Sequence, residues 1–371
     1  MEKYNYNLEK KLTVLEKYII FKIKEMYNVK KNKENILQYI LNCIYKKDKD
    51  FVKKTCNYFK IANSTVYNYL KELEKNDIIK KNSGENFRYT IISKKRYFSY
   101  KLKDYLEEDR IFDKDIAPLF SDMNKNVFEA WRYAFTEMMN NAIEHSNAEN
   151  IYCRVATNFV FNEIVIIDDG IGIFKNIQSY FKNKFNNEID LSECVSLLFA
   201  GKFTTASEGH SGEGIFFTSH IMDEFLIVSD GKRFTRDNFS DMVENFAIPK
   251  TDINAKTMVG MRLFNSTKKT IKEVFDRFSD MESGFYKTHI PIAHVFPNAT
   301  PVSRSEARRL CSLFAEFKEV NLDFYGVEQL GQAFVHEIFV VWQKRNPEIK
   351  INVENANDNI SNFIKRVIKT I

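Results

Sequence analysis

Apolar and polar positions alternate with helical spacing through the first third of the chain. "NKENILQYILNCIY" reads as an amphipathic helix and "DFVKKTCNYFK" as a second, with Asp50 placed to cap it. After the short connection "IANS", "STVYNYLKELEKNDIIKK" reads as a third helix with Ser64 as N-cap. "IIKKNSGENFRYTII" then gives two short strands around a Ser-Gly turn. Ahead of these, residues 4–30 read as one helix of mixed character. From about Asp113 to Phe264 helices alternate with strands, the strands being "IYCRVATNF", "EIVIIDD", "FLIVSDGKRF" and "TMVGMRLF". The helix "TKKTIKEVFDRFSDM" leads to a last block of strand, helix, strand, helix, strand, helix, a βαβαβα order that a parallel or mixed sheet satisfies best.

Composition adds limits. A chain of 371 residues is long for one domain, and 44% apolar residues with 33 Phe can fill more than one core. Only 12 Gly and 6 Pro argue against long flexible linkers. The N-terminal stretch "YIIFKIKEMY" is broken by Lys22 and Lys24, so neither a signal peptide nor a membrane span is expected. Cys43, Cys56, Cys153, Cys194 and Cys311 are odd in number and form no CxxC, which reads as reduced thiols in a cytoplasmic protein.

Charge separates the two ends. Residues 1–100 hold 23 Lys and Arg against 11 Asp and Glu, and the remainder holds 32 against 39. A basic head on a mildly acidic body suggests that the head meets a polyanion, although a Lys-rich solvated surface has the same charge. Helix, helix, turn, helix and hairpin over residues 33–98 resembles the winged helix-turn-helix. That resemblance implies double-stranded DNA as partner. Ser64, Thr65, Tyr67, Asn68 and Lys71 of the third helix would face the major groove, with Lys80, Lys81 and Arg88 on the wing.

The central chemistry starts in "AFTEMMNNAIEHS". Glu137 and Asn141 are four residues apart and share a helix face. Asn offers a neutral oxygen to Mg²⁺, and a Glu one turn earlier can orient a water or hydroxyl nucleophile. The same pattern also suits an ordinary polar outer face. In "IVIIDDGIGIF" an apolar strand ends in Asp168, followed by Gly170 and Gly172. A buried carboxylate there suits the amino group of adenine and rejects guanine, whose carbonyl would leave two acceptors facing one another. In "GHSGEGIFFTSHIMDEF", Gly212 and Gly214 precede a helix, an arrangement that exposes backbone N–H groups to phosphate.

E-x-x-x-N-A-x-x-H, then D-x-G-x-G, then G-x-G before a helix, resembles the three nucleotide boxes of the GHKL superfamily over Asp113 to Phe264. The resemblance implies an α/β sandwich that binds ATP with Mg²⁺ under a lid of roughly Phe199 to Gly212. It assigns Asn141 to Mg²⁺, Glu137 to general-base catalysis, Asp168 to adenine, and Gly170, Gly172, Gly212 and Gly214 to the nucleotide loops. His145 takes the box-ending position, while Asn140 and Glu144 face another side of the helix. Two positions depart from the pattern. Glu213 stands where an apolar or small residue is usual, a carboxylate that is costly beside phosphates unless it points away or pairs with Lys202 or His210. In the last strand Met261 follows Gly260, where the family usually has a Gly-Thr pair.

The block 286–371 resembles STAS-like domains, in which a Ser at a helix start is phosphorylated by a GHKL serine kinase. Here Gly331, Gln332 and Ala333 occupy that start without a hydroxyl, which favours a protein-binding or lid-docking role. The expected architecture is therefore multidomain α+β: an N-terminal helix (1–32), a winged helix head (33–98), a GHKL α/β sandwich (113–265) and a βαβαβα STAS-like domain (286–371). The expected function is an ATP-dependent, DNA-binding regulator with slow ATPase activity, possible homodimerisation and a protein partner for the C-terminal domain. Lys202 is included among the nucleotide contacts. A serine/threonine kinase of the anti-sigma-factor type, or a non-hydrolysing nucleotide sensor, would use the same residues.

Overall fold

A computed structural model describes residues 32–83, 88–104, 106–121, 123–186, 188–202, 213–236, 254–280, 282–296 and 300–369. The helix expected at 4–30, Gly212 and His210 lie outside these residues. The chain divides into two compact units: residues 1–94 with 157–160, and residues 95–156 with 161–371.

In the first unit, α1 (32–45), α2 (Phe51–Phe59) and α3 (Asn63–Lys75) are followed by β1 (Ile79–Lys81) and β2 (Tyr89–Ile91), an antiparallel pair. Ile36, Ile40, Phe51, Val66, Leu70 and Ile79 fill its core. Two expected caps are absent. Asp50 precedes α2 without a capping side-chain bond; its own backbone N–H donates to Asp48. Ser64 lies inside the first turn of α3, because the helix starts one residue earlier and Ala62 holds the N-cap position.

The second unit is built on a six-stranded sheet. Its strands are β3 (Lys94–Lys101), β4 (Asn150–Thr157), β5 (Phe161–Asp168), β6 (Glu224–Ser229), β7 (Lys232–Phe234) and β8 (Thr257–Phe264), in the order β3-β4-β5-β8-β6-β7. β3, formed by "KKRYFSYK", has no counterpart among the strands expected from the sequence. The segment expected as one strand, "FLIVSDGKRF", is a hairpin: Asp230 and Gly231 both take positive φ, 52° and 72°, as a two-residue turn requires.

The sheet packs α4 (Lys125–His145), α5 (Ile173–Phe185), α6 (Leu191–Ala200) and α7 (Gly214–Ile221) into one core. Phe135, Met138, Met139 and Ala142 of α4 are buried against Ile151, Ile164 and Ile166. The other sheet face carries a small apolar cluster of Val165, Ile167, Leu226 and Met258, and beside it a buried ion network. There Glu163 receives hydrogen bonds from both Arg154 and Arg262, and Arg262 also pairs with Glu224.

α8 (Ile271–Phe278), opened by a Thr270–Glu273 capping box, leads through the two-residue ladder β9 (Ser279–Asp280) and β10 (Gly284–Phe285) to a second sheet. Its parallel strands β11 (Lys287–Pro291), β12 (Glu319–Asp323) and β13 (Lys350–Glu354) lie in that order. α9 (Arg304–Cys311), α10 (Gln332–His336, continued by a π-helical turn Glu337–Trp342) and α11 (Asp358–Lys369) cover it. Their apolar faces join the core of the six-stranded sheet as one cluster. Among the described residues no helix is long and apolar enough to cross a membrane.

Candidate functional site

Helix α4 is the spine of the site. Its apolar positions face the core, so the residues between them are turned to its flank, and Glu137 and Asn141 are both half-buried. Near Glu137 lies the start of α7: a Cβ on Gly214 would stand 2.2 Å from Glu137 Oε2, so a larger residue there would have to push the carboxylate aside. Tyr133, one turn before Glu137, has its phenol held protonated by burial, with the charges of Glu137 and Glu213 adding to the effect. At the C-terminal end of α4, a Cβ on Gly170 would fall 2.0 Å from the Ser146 carbonyl, and the Ile171 N–H donates to that same carbonyl at 2.8 Å. Glu137 and Ser146 are nine residues apart, which spans roughly 14 Å of helix.

Asp168 ends β5 at the Gly170 end of this line. It is 5% exposed, and burial raises its pKa to about 6. The Gly170 N–H donates to its Oδ1 at 3.0 Å, and the Thr257 hydroxyl bonds to it from the facing residue of β8. Thr257 is the hydroxyl that the sequence reading missed. Met261, whose position was read as the departure, is buried in the core beside Ile164 and Phe225 in the ladder. Thr257 continues into a chain of polar groups: Ser229 Oγ lies 3.2 Å from its hydroxyl and 3.1 Å from Asp230 Oδ2. Asp230 in turn accepts from the Lys175 N–H at 3.0 Å, so a side chain from the β6–β7 turn caps α5. Gly172, the N-cap of α5, takes φ 88°, and a Cβ there would meet both Asp230 carboxylate oxygens at 2.5 Å. The neighbouring Asp169 turns away and binds the backbone of Glu149 and Asn150.

The structure thus brings Glu137, Asn141, Asp168, Gly170, Gly172 and Gly214 to one side of the six-stranded sheet, along α4. His145 is held at this end through its carbonyl, which accepts from Asn176. Glu144 is exposed and Asn140 half-buried. Lys202 is placed elsewhere: its amine donates to the Glu316 carbonyl at 2.9 Å and lies over the Phe317 ring at 5.0 Å. The described contact of Lys202 is thus with a carbonyl 114 residues downstream.

In the first unit Ser64, Tyr67, Asn68, Lys71, Lys81 and Arg88 are exposed and Thr65 is half-buried. The Arg88 guanidinium lies 5.8 Å from the Tyr67 ring, which joins hairpin and third helix on one surface. In the C-terminal sheet, the start of α10 is closed as well as lacking a hydroxyl: a Cβ on Gly331 would stand 2.3 Å from the Val302 carbonyl.

A carboxylate at a strand end and a glycine-opened helix thus lie about two and a half turns apart along the polar flank of one helix in an α/β sandwich. Residues 127–262 match the family described as histidine kinase-, DNA gyrase B-, and HSP90-like ATPase, and residues 306–361 match a STAS-like domain of unknown function. The chain thus carries a GHKL-like ATPase domain followed by a STAS-like domain. No curated protein matches it.

Proposed function

We propose that this protein is an ATP- and Mg²⁺-dependent switch with slow hydrolysis, coupled to a winged helix head that binds double-stranded DNA. The observation that carries the nucleotide half is the order of groups along α4: Gly214 beside Glu137 at mid-helix, Asn141 one turn on, and Gly170 with Asp168 at the C-terminal end. Asp168 would accept the adenine amino group, with the Thr257 hydroxyl holding the carboxylate in place. The N–H groups at the start of α7 would receive the phosphates. Asn141 would hold Mg²⁺, which when bound draws charge from the phosphate oxygens. Glu137 would take the proton of an attacking water.

The DNA half rests on the basic head and on the exposed row Tyr67, Asn68 and Lys71 beside Arg88 and Lys81. The test is direct titration of the full chain with Mg²⁺-ATP and, separately, with duplex DNA over a range of salt. Binding of both is expected. Lys71→Ala with Lys81→Ala should lower the slope of log affinity against log salt by about 1–2, since each phosphate contact contributes roughly 0.9. An unchanged slope would remove these lysines from the interface. Label from ATP appearing on another protein, instead of as free phosphate, would place the chain with the anti-sigma-factor-type kinases.

A further inference from the structure

The ATPase domain and the C-terminal sheet meet at both flanks of residues 203–212. On one flank, α6 ends at Ala200 with carbonyls that no residue of the helix can satisfy. The hydroxyl of Thr288, a wholly buried residue on β11, donates to the Ala200 carbonyl at 2.7 Å. Arg236 Nη2 donates to the Phe199 carbonyl at 3.0 Å, while its Nη1 donates to the His289 carbonyl at 3.0 Å. Gly201 takes φ 78°, and a Cβ there would stand 2.7 Å from the Phe285 ring. On the other flank, α7 lays Phe216 and Phe217 against the same Phe285, with ring centroids 4.6 and 5.1 Å away. Arg236 Nε also donates to Ser219 of α7 at 2.8 Å, so one guanidinium ties α6, α7 and β11 together.

We propose that Thr288 and Phe285 are positioning residues of the nucleotide site, so that the C-terminal sheet, with the ladder that leads into it, completes this site and is not a separable module. The proposal rests on the nucleotide reading above. Its physical basis is tolerance. Donors to a bound phosphate work only when held within about 0.5 Å of their place. α7 is a helix of 8 residues. Its start abuts Glu137, and the aromatic face behind that start is fixed by Phe285. The end of α6 has the same support, since its last carbonyls are bonded to Thr288 and to an arginine that is itself bonded to β11.

The test compares Thr288→Val, which keeps size but cannot donate, with Thr288→Ser, which keeps the donor. Full-chain protein is titrated calorimetrically with Mg²⁺ and a non-hydrolysable ATP analogue. Thr288→Val should bind about tenfold more weakly than wild type, because binding must then also order an α6 end that has lost its donor, and Thr288→Ser within about twofold. Hydrogen exchange without nucleotide is the second readout. The amides of 199–202 and 214–221 should exchange faster in Thr288→Val than in Thr288→Ser. Equal affinity and equal exchange in the two variants overturn the proposal. So does faster exchange spread evenly over the whole domain with affinity unchanged, which marks an ordinary core residue. If wild type binds no nucleotide, the nucleotide reading falls, and with it the claim that these residues position a nucleotide site; faster exchange confined to the two flanks would then report only a structural anchor.

Discussion

Glu137→Ala is expected to bind Mg²⁺-ATP nearly as tightly as wild type and to hydrolyse it about 10²–10⁴-fold more slowly, the usual contribution of a general base. The two effects separate because Glu137 lies beside the start of α7 without being the group that holds metal or adenine. Removing its carboxylate also leaves Gly214 more room, so the helix start is not displaced. Asn141→Ala should behave differently, losing Mg²⁺-dependent binding and turnover together. Phosphate release and equilibrium binding on both variants distinguish these outcomes. Unchanged hydrolysis in Glu137→Ala removes it as base, and unchanged Mg²⁺-ATP affinity in Asn141→Ala removes the metal assignment. The Glu137→Ala protein, held in its ATP form, should also keep permanently whatever DNA behaviour ATP induces.

Asp168→Asn is expected to weaken ATP binding roughly ten- to a hundredfold, because a hydrogen bond to a charged group contributes about 1.5–3 kcal/mol. The same change should stabilise the fold at neutral pH. A carboxylate whose folded pKa stands at about 6, against an ordinary 3.8, opposes folding once it is ionised. The full penalty is at most about 3 kcal/mol at neutral pH. The direction follows from proton uptake. Below about pH 4 the group is protonated in both the folded and the unfolded chain and costs nothing. Between about pH 4 and pH 6 the unfolded chain releases its proton first, and the penalty grows to its full size. The stability gap between Asp168→Asn and wild type should therefore widen over this range, as measured by urea unfolding at several pH values. A variant that binds ATP normally sinks the adenine assignment; one that shows no widening gap sinks the account of burial.

The parts of the site legible in the sequence are those encoded within one element. Glu137 and Asn141 are set by helical spacing alone. Asp168 closes an apolar strand that needs no partner to be recognised, and Gly214 precedes a helix visible in its own pattern. Groups that reach the site across the sheet were not legible. Thr257 opposes Asp168 only because β5 pairs with β8 in one particular alignment, and Asp230 reaches α5 only because β6 turns back into β7. The contacts of Lys202 were not legible for a similar reason: Glu316 and Phe317 lie in a domain whose packing no local pattern reports. β3 was missed because an edge strand can carry charge on its outer face. Ser64 was two residues from the true N-cap of its helix, Ala62, within the ordinary uncertainty of a boundary.

The ion network on the far face of the sheet bears on how the site assembles. Arg262 pairs with Glu163 in the β5–β8 ladder, five positions from the pair of Thr257 with Asp168. A slip of one residue would turn Glu163 to the opposite face and leave Arg262 buried beside apolar side chains. Stranding one partner of a buried pair costs about 3–5 kcal/mol, far more than the intact pair contributes to stability. The network therefore favours the native alignment of β5 with β8 over its neighbours, and that alignment is the one in which the hydroxyl and carboxylate at the other end of the ladder meet.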